Sequence, residues 1–166
     1  MASLPDAEKL CEQLARELKA QVKTSTAMVG IYTGGAWLAE RLHAVLGLQE
    51  PLGLLDIAFY RDDYAKQGLA KDPKRSKIPF DVEGRDLLLV DDVLHSGRTV
   101  RAAMNELFDY GRPATITLVV LAERSGRQLP ICAQFAGARV EVPAGMRLRL
   151  KRDDRGRLSL ELERGA

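Results

Sequence analysis

The stretch Leu87 to Val100, LLLVDDVLHSGRTV, constrains this chain more than any other. Leu87, Leu88, Leu89 and Val90 form an unbroken apolar run, the pattern of a strand buried on both faces of a parallel sheet. Asp91 and Asp92 end that run abruptly, and small or polar residues follow at Ser96, Gly97 and Thr99. From Thr99 to Tyr110 the spacing turns helical. Strand, polar loop and helix start is the place where an open α/β sheet holds its ligand. Gly97 lets the backbone approach a bound group, and the first helical amides with the hydroxyls of Ser96 and Thr99 are donors suited to a phosphate. The acid pair would repel that phosphate, so its task is different, such as gripping sugar hydroxyls. A ribose 5-phosphate meets both requirements.

The rest of the chain arranges itself around this stretch. Ser3 and Asp6 stand at capping-box spacing before a helix whose apolar face is Leu10, Leu14, Leu18 and Val22. Ala27 to Ile31 reads as a buried strand, Tyr32-Thr33-Gly34-Gly35 as a loop, and Ala36 to Leu46 as a helix. The paired glycines leave amides uncovered, either as a second anion cradle or as a tight turn with a purely steric need for glycine. Pro51 to Phe59 reads as a strand. Tyr60 to Phe80 carries Arg61, Lys66, Lys71, Lys74, Arg75 and Lys77 with little apolar periodicity, which suits a solvated loop or a cationic lid that excludes water. Thr115 to Leu121 is a further strand, and Arg124 and Arg127 at its end are either ligand contacts or plain surface. Gln128 to Val142 has no clear period and suits a cap over the ligand or a sheet edge. Leu148 and Leu150, then Leu158, Leu160 and Leu162, alternate with charges about Asp153-Asp154-Arg155-Gly156, which spells a β-hairpin with one apolar face.

Composition sets outer bounds. The 166 residues, 46% hydrophobic, suffice for one domain with a real core, expected to span 1–166. A net charge of +2 gives no argument for nucleic-acid binding. Cys11 and Cys132 fit no metal-ligand spacing and are expected to be buried free thiols. No apolar run approaches the ~20 residues of a membrane span. The N-terminus lacks the basic and apolar regions of a signal peptide. No membrane association and a cytoplasmic location are therefore expected.

Competing sites fail on motif grounds. A P-loop needs GxxxxGK[ST], and the chain has none. A dinucleotide site needs GxGxxG after the first strand, which Gly34-Gly35 does not supply. A phosphoacceptor receiver places its acids near the N-terminus and a lysine on a later strand end, whereas here the acids lie past the middle and Thr115 to Leu121 ends in no lysine.

The stretch LLLVDDVLHSGRTV resembles the 5-phosphoribosyl 1-diphosphate motif of the type I phosphoribosyltransferases. TGG after the first strand, LDIAFYRDD, IPFDVEG, DDVLHSGRTVRAAMNELFDYGRPA and RQLPI resemble one branch, the bifunctional pyrimidine-operon regulators and uracil phosphoribosyltransferases, over roughly Val29 to Val140. The resemblance implies a twisted, mainly parallel sheet flanked by helices, with a mobile lid at about 60–79 and a hood and C-terminal hairpin at about 128–163. It implies that Asp91 and Asp92 hold the ribose 2- and 3-hydroxyls, and that Val93, Leu94, His95, Ser96, Gly97, Arg98 and Thr99 wrap the 5-phosphate. Thr33, Gly34 and Gly35 would form the pyrophosphate loop, Arg61 would contact pyrophosphate in catalysis, and Arg124 and Val140 would lie by the base. No metal-ligand set is implied in the protein, because Mg2+ would arrive on the diphosphate. Uracil and 5-phosphoribosyl 1-diphosphate are the implied substrates, UMP the product, and a homodimer or larger homo-oligomer the implied assembly. Tyr32 and Gly34 depart from the branch, where many members carry a basic residue at the first position and some carry arginine at the second. RNA is the implied partner of the regulatory members. Here Lys74, Arg75 and Lys77, with Arg139, Arg147, Arg149 and Lys151, could form a basic face for it, although alternating hairpin arginines also suit plain solvated surface.

Overall fold

The computed structural model of the chain describes residues 3–57 and 75–165. Helix α1 (Ala7–Lys19) is capped by Asp6, whose carboxylate accepts from the Glu8 and Lys9 amides, so the cap is Asp6 and not Ser3. Strand β1 (Ala27–Ile31), helix α2 (Gly34–Leu46) and strand β2 (Gly53–Leu55) follow. Then come β3 (Asp86–Leu94), α3 (Arg98–Tyr110), β4 (Thr115–Arg124) and β5 (Phe135–Val140). Strands β6 (Met146–Arg152) and β7 (Leu158–Arg164) form the antiparallel hairpin.

Among the described residues the main sheet has the order β2-β1-β3-β4-β5, with every pairing parallel. Alternation along the strands sorts the apolar side chains into two layers. Met28, Leu88, Val90, Val119 and Leu121 pack against α1, α2 and the hairpin leucines Leu148, Leu150, Leu158 and Leu160. Val29, Leu87, Leu89, Leu118 and Val120 pack against Val100, Ala103 and Leu107 of α3. Burial on both faces explains why β1, β3 and β4 read as continuous apolar runs.

Several expectations need correction. β3 does not stop at the acids but runs to Leu94, because its pairing with β4 continues to Leu94↔Glu123. β2 is only three residues long, since its register on β1 covers Val29↔Gly53 to Ile31↔Leu55; Phe59 lies outside the described residues. α2 starts at Gly34 and α3 at Arg98. Cys11 is buried and free as expected, whereas free Cys132 is exposed. Of the two readings of 128–142, the sheet edge holds: it contains the parallel edge strand β5, whose mostly small side chains at Phe135-Ala136-Gly137-Ala138 leave no clear period. No helix among the described residues is long and apolar enough to cross a membrane.

One partly buried carboxylate clips the helical layer to the hairpin. Glu8 accepts from Arg41 at 2.5 Å and from the Leu158 amide at 2.7 Å, and Arg41 donates onward to the Gly156 carbonyl at 2.9 Å. Burial pushes the Glu8 pKa up. The Arg41 and Leu158 hydrogen bonds and the charges of Arg41 and Arg157 outweigh it, leaving the group below its usual 4.5. A depressed carboxyl stabilises the fold above its unfolded value and loses that contribution as pH falls through the folded one. Glu8→Gln is therefore expected to cost about 1 kcal/mol at pH 7. In urea titrations the gap between the two proteins should close below pH 4.5; a gap that is constant with pH would contradict the clip.

Candidate functional site

The strand order reverses direction between β1 and β3, and this switch point is where an open parallel sheet offers a crevice at its carboxyl edge. The β1 ladder on β3 ends at Gly30↔Val90. Beyond it β1 leaves through Tyr32 and Thr33 (the peptide between them is cis), and Thr33 is the N-cap of α2. Gly34 and Gly35 are buried against the end of β3. A Cβ on Gly35 would stand 2.7 Å from the Val90 carbonyl oxygen and 2.9 Å from the Asp91 Cα. A Cβ on Gly34 would lie 2.1 Å from Asp92 Oδ2. The glycines thus let the first turn of α2 touch the acid pair directly. Asp91 is 4% exposed and its carboxylate accepts from the Asp92 amide at 2.9 Å, while Asp92 accepts from the Val93 amide at 2.8 Å.

Past the acids, Leu94 is buried and His95, Ser96 and Gly97 turn the chain into α3. Gly97 holds φ +94°, a left-handed conformation in which any side chain would be strained, and its missing Cβ leaves room for Ile131. Ser96 Oγ accepts from the Arg98 amide at 3.2 Å, and its carbonyl accepts from the amides of Gln128 and Leu129. Arg127 donates to the carbonyls of His95 and Ile131, both at 2.9 Å, and Arg98 Nε donates to Gln128 at 2.9 Å. The connection from β4 to β5 is therefore a buttress that fixes the turn from outside. Arg127, a candidate ligand contact in the sequence, is occupied with this work and with its ion pair to Glu123.

Electrostatics separate these helix starts from the third. α1 begins with Asp6 as cap and Glu8 in its first turn, whereas α2 and α3 have neither a side-chain cap nor an acid in the first turn. Both helices at the switch point thus present N-terminal amides and positive dipole ends without a built-in carboxylate, the condition for receiving an external anion. Partial burial, then the charges of Arg124 and Arg127, hold the His95 pKa below its usual 6.5, so the ring is neutral at pH 7.

At the end of β4 lies a polar cavity of about 340 Å³, with Glu123, Arg124, Gly126, Arg139 and Glu141 in its wall. Arg124 Nη1 donates to the Met146 carbonyl at 3.2 Å, and its buried Nε has no hydrogen-bond partner among the described residues. Val140, paired with Arg124, turns its side chain into the core, so only its main chain faces this edge.

Residues 2–140 match the phosphoribosyl transferase domain. The chain belongs to that family. It is 48% identical over 152 residues to a bifunctional protein PyrR of Pseudomonas fluorescens, covering 89% of this chain and 90% of the relative. It is 47% identical over 166 residues to a bifunctional protein PyrR of Pseudomonas entomophila, covering 98% and 94%. Its fold is similar to that of a hypoxanthine phosphoribosyltransferase from Staphylococcus aureus, with a TM-score of 0.65 and 18% identity over 82% of this chain and 73% of that one. The protein is thus a phosphoribosyltransferase of the PyrR branch, an enzyme of pentosyl transfer.

In this phosphoribosyltransferase the sequence-predicted residues Thr33, Gly34, Gly35, Asp91, Asp92 and His95 to Thr99 converge on one crevice, with Arg124 at its flank. Arg61 and the lid residues before Arg75 lie outside the described residues. Two further residues border the crevice: Asp56, buried after β2 and not singled out in the sequence, and Arg75, one of the cations of the candidate lid, whose Nε donates to Asp56 at 2.8 Å. Nothing periodic marks such a pair, because its members are joined only by the fold. The tightest contact gives the sharpest test. Gly35→Ala must displace backbone at Val90 or Asp91, with an expected loss of about 1–3 kcal/mol in denaturant titrations and weaker binding of 5-phosphoribosyl 1-diphosphate. Wild-type stability in that variant would contradict the contact.

Proposed function

We propose that this phosphoribosyltransferase joins uracil to the ribose 5-phosphate of 5-phosphoribosyl 1-diphosphate within a single domain. The bond from uracil N1 to the anomeric carbon forms, the bond from that carbon to diphosphate breaks, and the N1 proton is lost, giving UMP. The observation that carries this reading is the acid pair lying between two helix N-termini that have no acid in their first turns. Each part then has a task. The α3 turn, His95 to Thr99, receives the 5-phosphate, with Val93 and buried Leu94 as the end of β3 leading into it. Asp91 and Asp92 grip the ribose hydroxyls, and Thr33 to Gly35 receive the diphosphate through main-chain amides. The flank near Arg124 and the main chain at Val140 receives the base, with Arg61 assisting at the diphosphate.

Magnesium fits this site as part of the substrate. Among the described residues no group of three or more His, Cys, Asp or Glu side chains is arranged to hold an ion, while the acid pair faces the place assigned to the ribose. The ion's contribution is to neutralise charge on the departing diphosphate. The protein orients the ribose and uracil and aims fixed dipoles at the charge that develops.

Gene regulation through RNA is a second activity to assign separately. On the hairpin, Arg149 and Lys151 both pair with Glu163, and Arg152 pairs with Glu40. Together with the Arg139–Glu123 pair, these contacts offset part of the positive charge on this face.

Purified protein with labelled uracil, 5-phosphoribosyl 1-diphosphate and Mg2+ is expected to form UMP, while hypoxanthine, guanine and orotate give far less product. Asp92→Asn should lower kcat/KM by about tenfold to a hundredfold, the value of a charge-assisted hydrogen bond. No UMP from the wild type, or full activity in the variant, would sink the proposal.

A further inference from the structure

The turn assigned to diphosphate, Tyr32-Thr33-Gly34-Gly35, contains no cationic side chain. Next to it stand two carboxylates, Asp91 and Asp92, which repel an anion. Within the turn itself only main-chain amides offset that repulsion, and Arg61, assigned to assist them, lies outside the described residues. One guanidinium is held beside this turn. The Arg75 Cζ lies 4.3 Å from the centroid of the Tyr32 ring, and Arg75 Nε donates to Asp56 Oδ2 at 2.8 Å.

The support behind Arg75 is stiff. Asp56 is 5% exposed and directly follows the carboxyl end of β2, next to the end of β1. Its amide donates to Ser76 Oγ at 2.7 Å, and Leu54 and Lys77 exchange both backbone hydrogen bonds at 2.8 and 2.7 Å. Residues 75–77 are thereby stitched to the sheet edge. The Arg75 side chain nevertheless remains 53% exposed, against 3% for Asp56. A guanidinium fixed through Nε and stacked on an aromatic face has lost its rotamer freedom before any ligand arrives, while about half of its side chain stays exposed. That is the preorganised form in which arginine binds phosphate groups best.

We propose that Arg75 is a diphosphate-binding residue of this enzyme, with the Tyr32 ring as its platform and Asp56 as the positioning residue that aims it. This rests on the proposed function and supplies the cation that the 32–35 turn lacks. An ion pair kept only for stability would behave differently. It would weaken the fold without distinguishing a ligand that carries diphosphate from one that does not.

Calorimetric titration of the full chain with inorganic diphosphate plus Mg2+, and separately with UMP, reads that distinction. Arg75→Gln is expected to weaken diphosphate binding and raise KM for 5-phosphoribosyl 1-diphosphate by about tenfold to a hundredfold. UMP affinity and KM for uracil should stay unchanged. Arg75→Lys should recover part of the loss. Tyr32→Leu, which keeps the Arg75–Asp56 pair, should show the same selective loss at smaller size. Unaltered diphosphate affinity in Arg75→Gln, or equal weakening of both ligands, would overturn the assignment. Failure of the wild type to make UMP from uracil would count against the uracil reading, while the diphosphate titration reads Arg75 separately.

Discussion

The contact between the first turn of α2 and the end of β3 organises the rest of the molecule. Gly35 stands where any side chain would strike the Val90 carbonyl and the Asp91 backbone, and Gly34 stands where one would strike the Asp92 carboxylate. Only with both side chains missing can a helix N-terminus come within touching distance of the acid pair. The sheet makes room because β1 stops pairing at Val90 while β4 continues to Leu94. A strand end supported on one side and vacated on the other is a shelf. The two helix starts and the carboxylates are set along it.

The second loop reaches the same shelf by a different route. Gly97 turns the chain with a left-handed φ, and the β4–β5 connection ties that turn down through the amides of Gln128 and Leu129 and through Arg127. Neither loop has an acidic first turn behind it, while α1, which starts away from the crevice, has both an acidic cap and an acidic first turn. Charge is thus placed where a ligand needs none of it removed. In the proposed function the carboxylates face the sugar, and the dipoles face the phosphates.

Much of this was legible in the chain itself. Continuous apolar runs marked β1, β3 and β4, because strands covered on both faces have no polar side to show. The alternating leucines marked the hairpin, Asp153 to Gly156 marked its turn, and Gly97 marked the turn into α3. Other features followed from contacts that local pattern cannot carry. Asp91 and Asp92 looked like a strand end, yet β4 holds that backbone in register beyond them. Gly34 and Gly35 looked like loop, since glycine is a poor helix former, but close packing on β3 requires them inside the helix. β5 was legible only as one of two alternatives, because its small residues fit beneath α1, where a Cβ on Gly137 would meet the Leu121 carbonyl at 2.5 Å and Leu10 at 3.2 Å. The pairs Asp56–Arg75 and Glu8–Arg41 join distant segments, and only the folded chain brings them together.

The central claim is that the acid pair reads ribose hydroxyls while the α3 turn holds the 5-phosphate. Calorimetric comparison of ribose 5-phosphate with 2-deoxyribose 5-phosphate tests it most directly, because the two differ only in one hydroxyl. The account predicts that the deoxy sugar binds at least about tenfold more weakly, and that Asp92→Asn narrows the difference. Equal affinity for the two sugars in the wild type would contradict it.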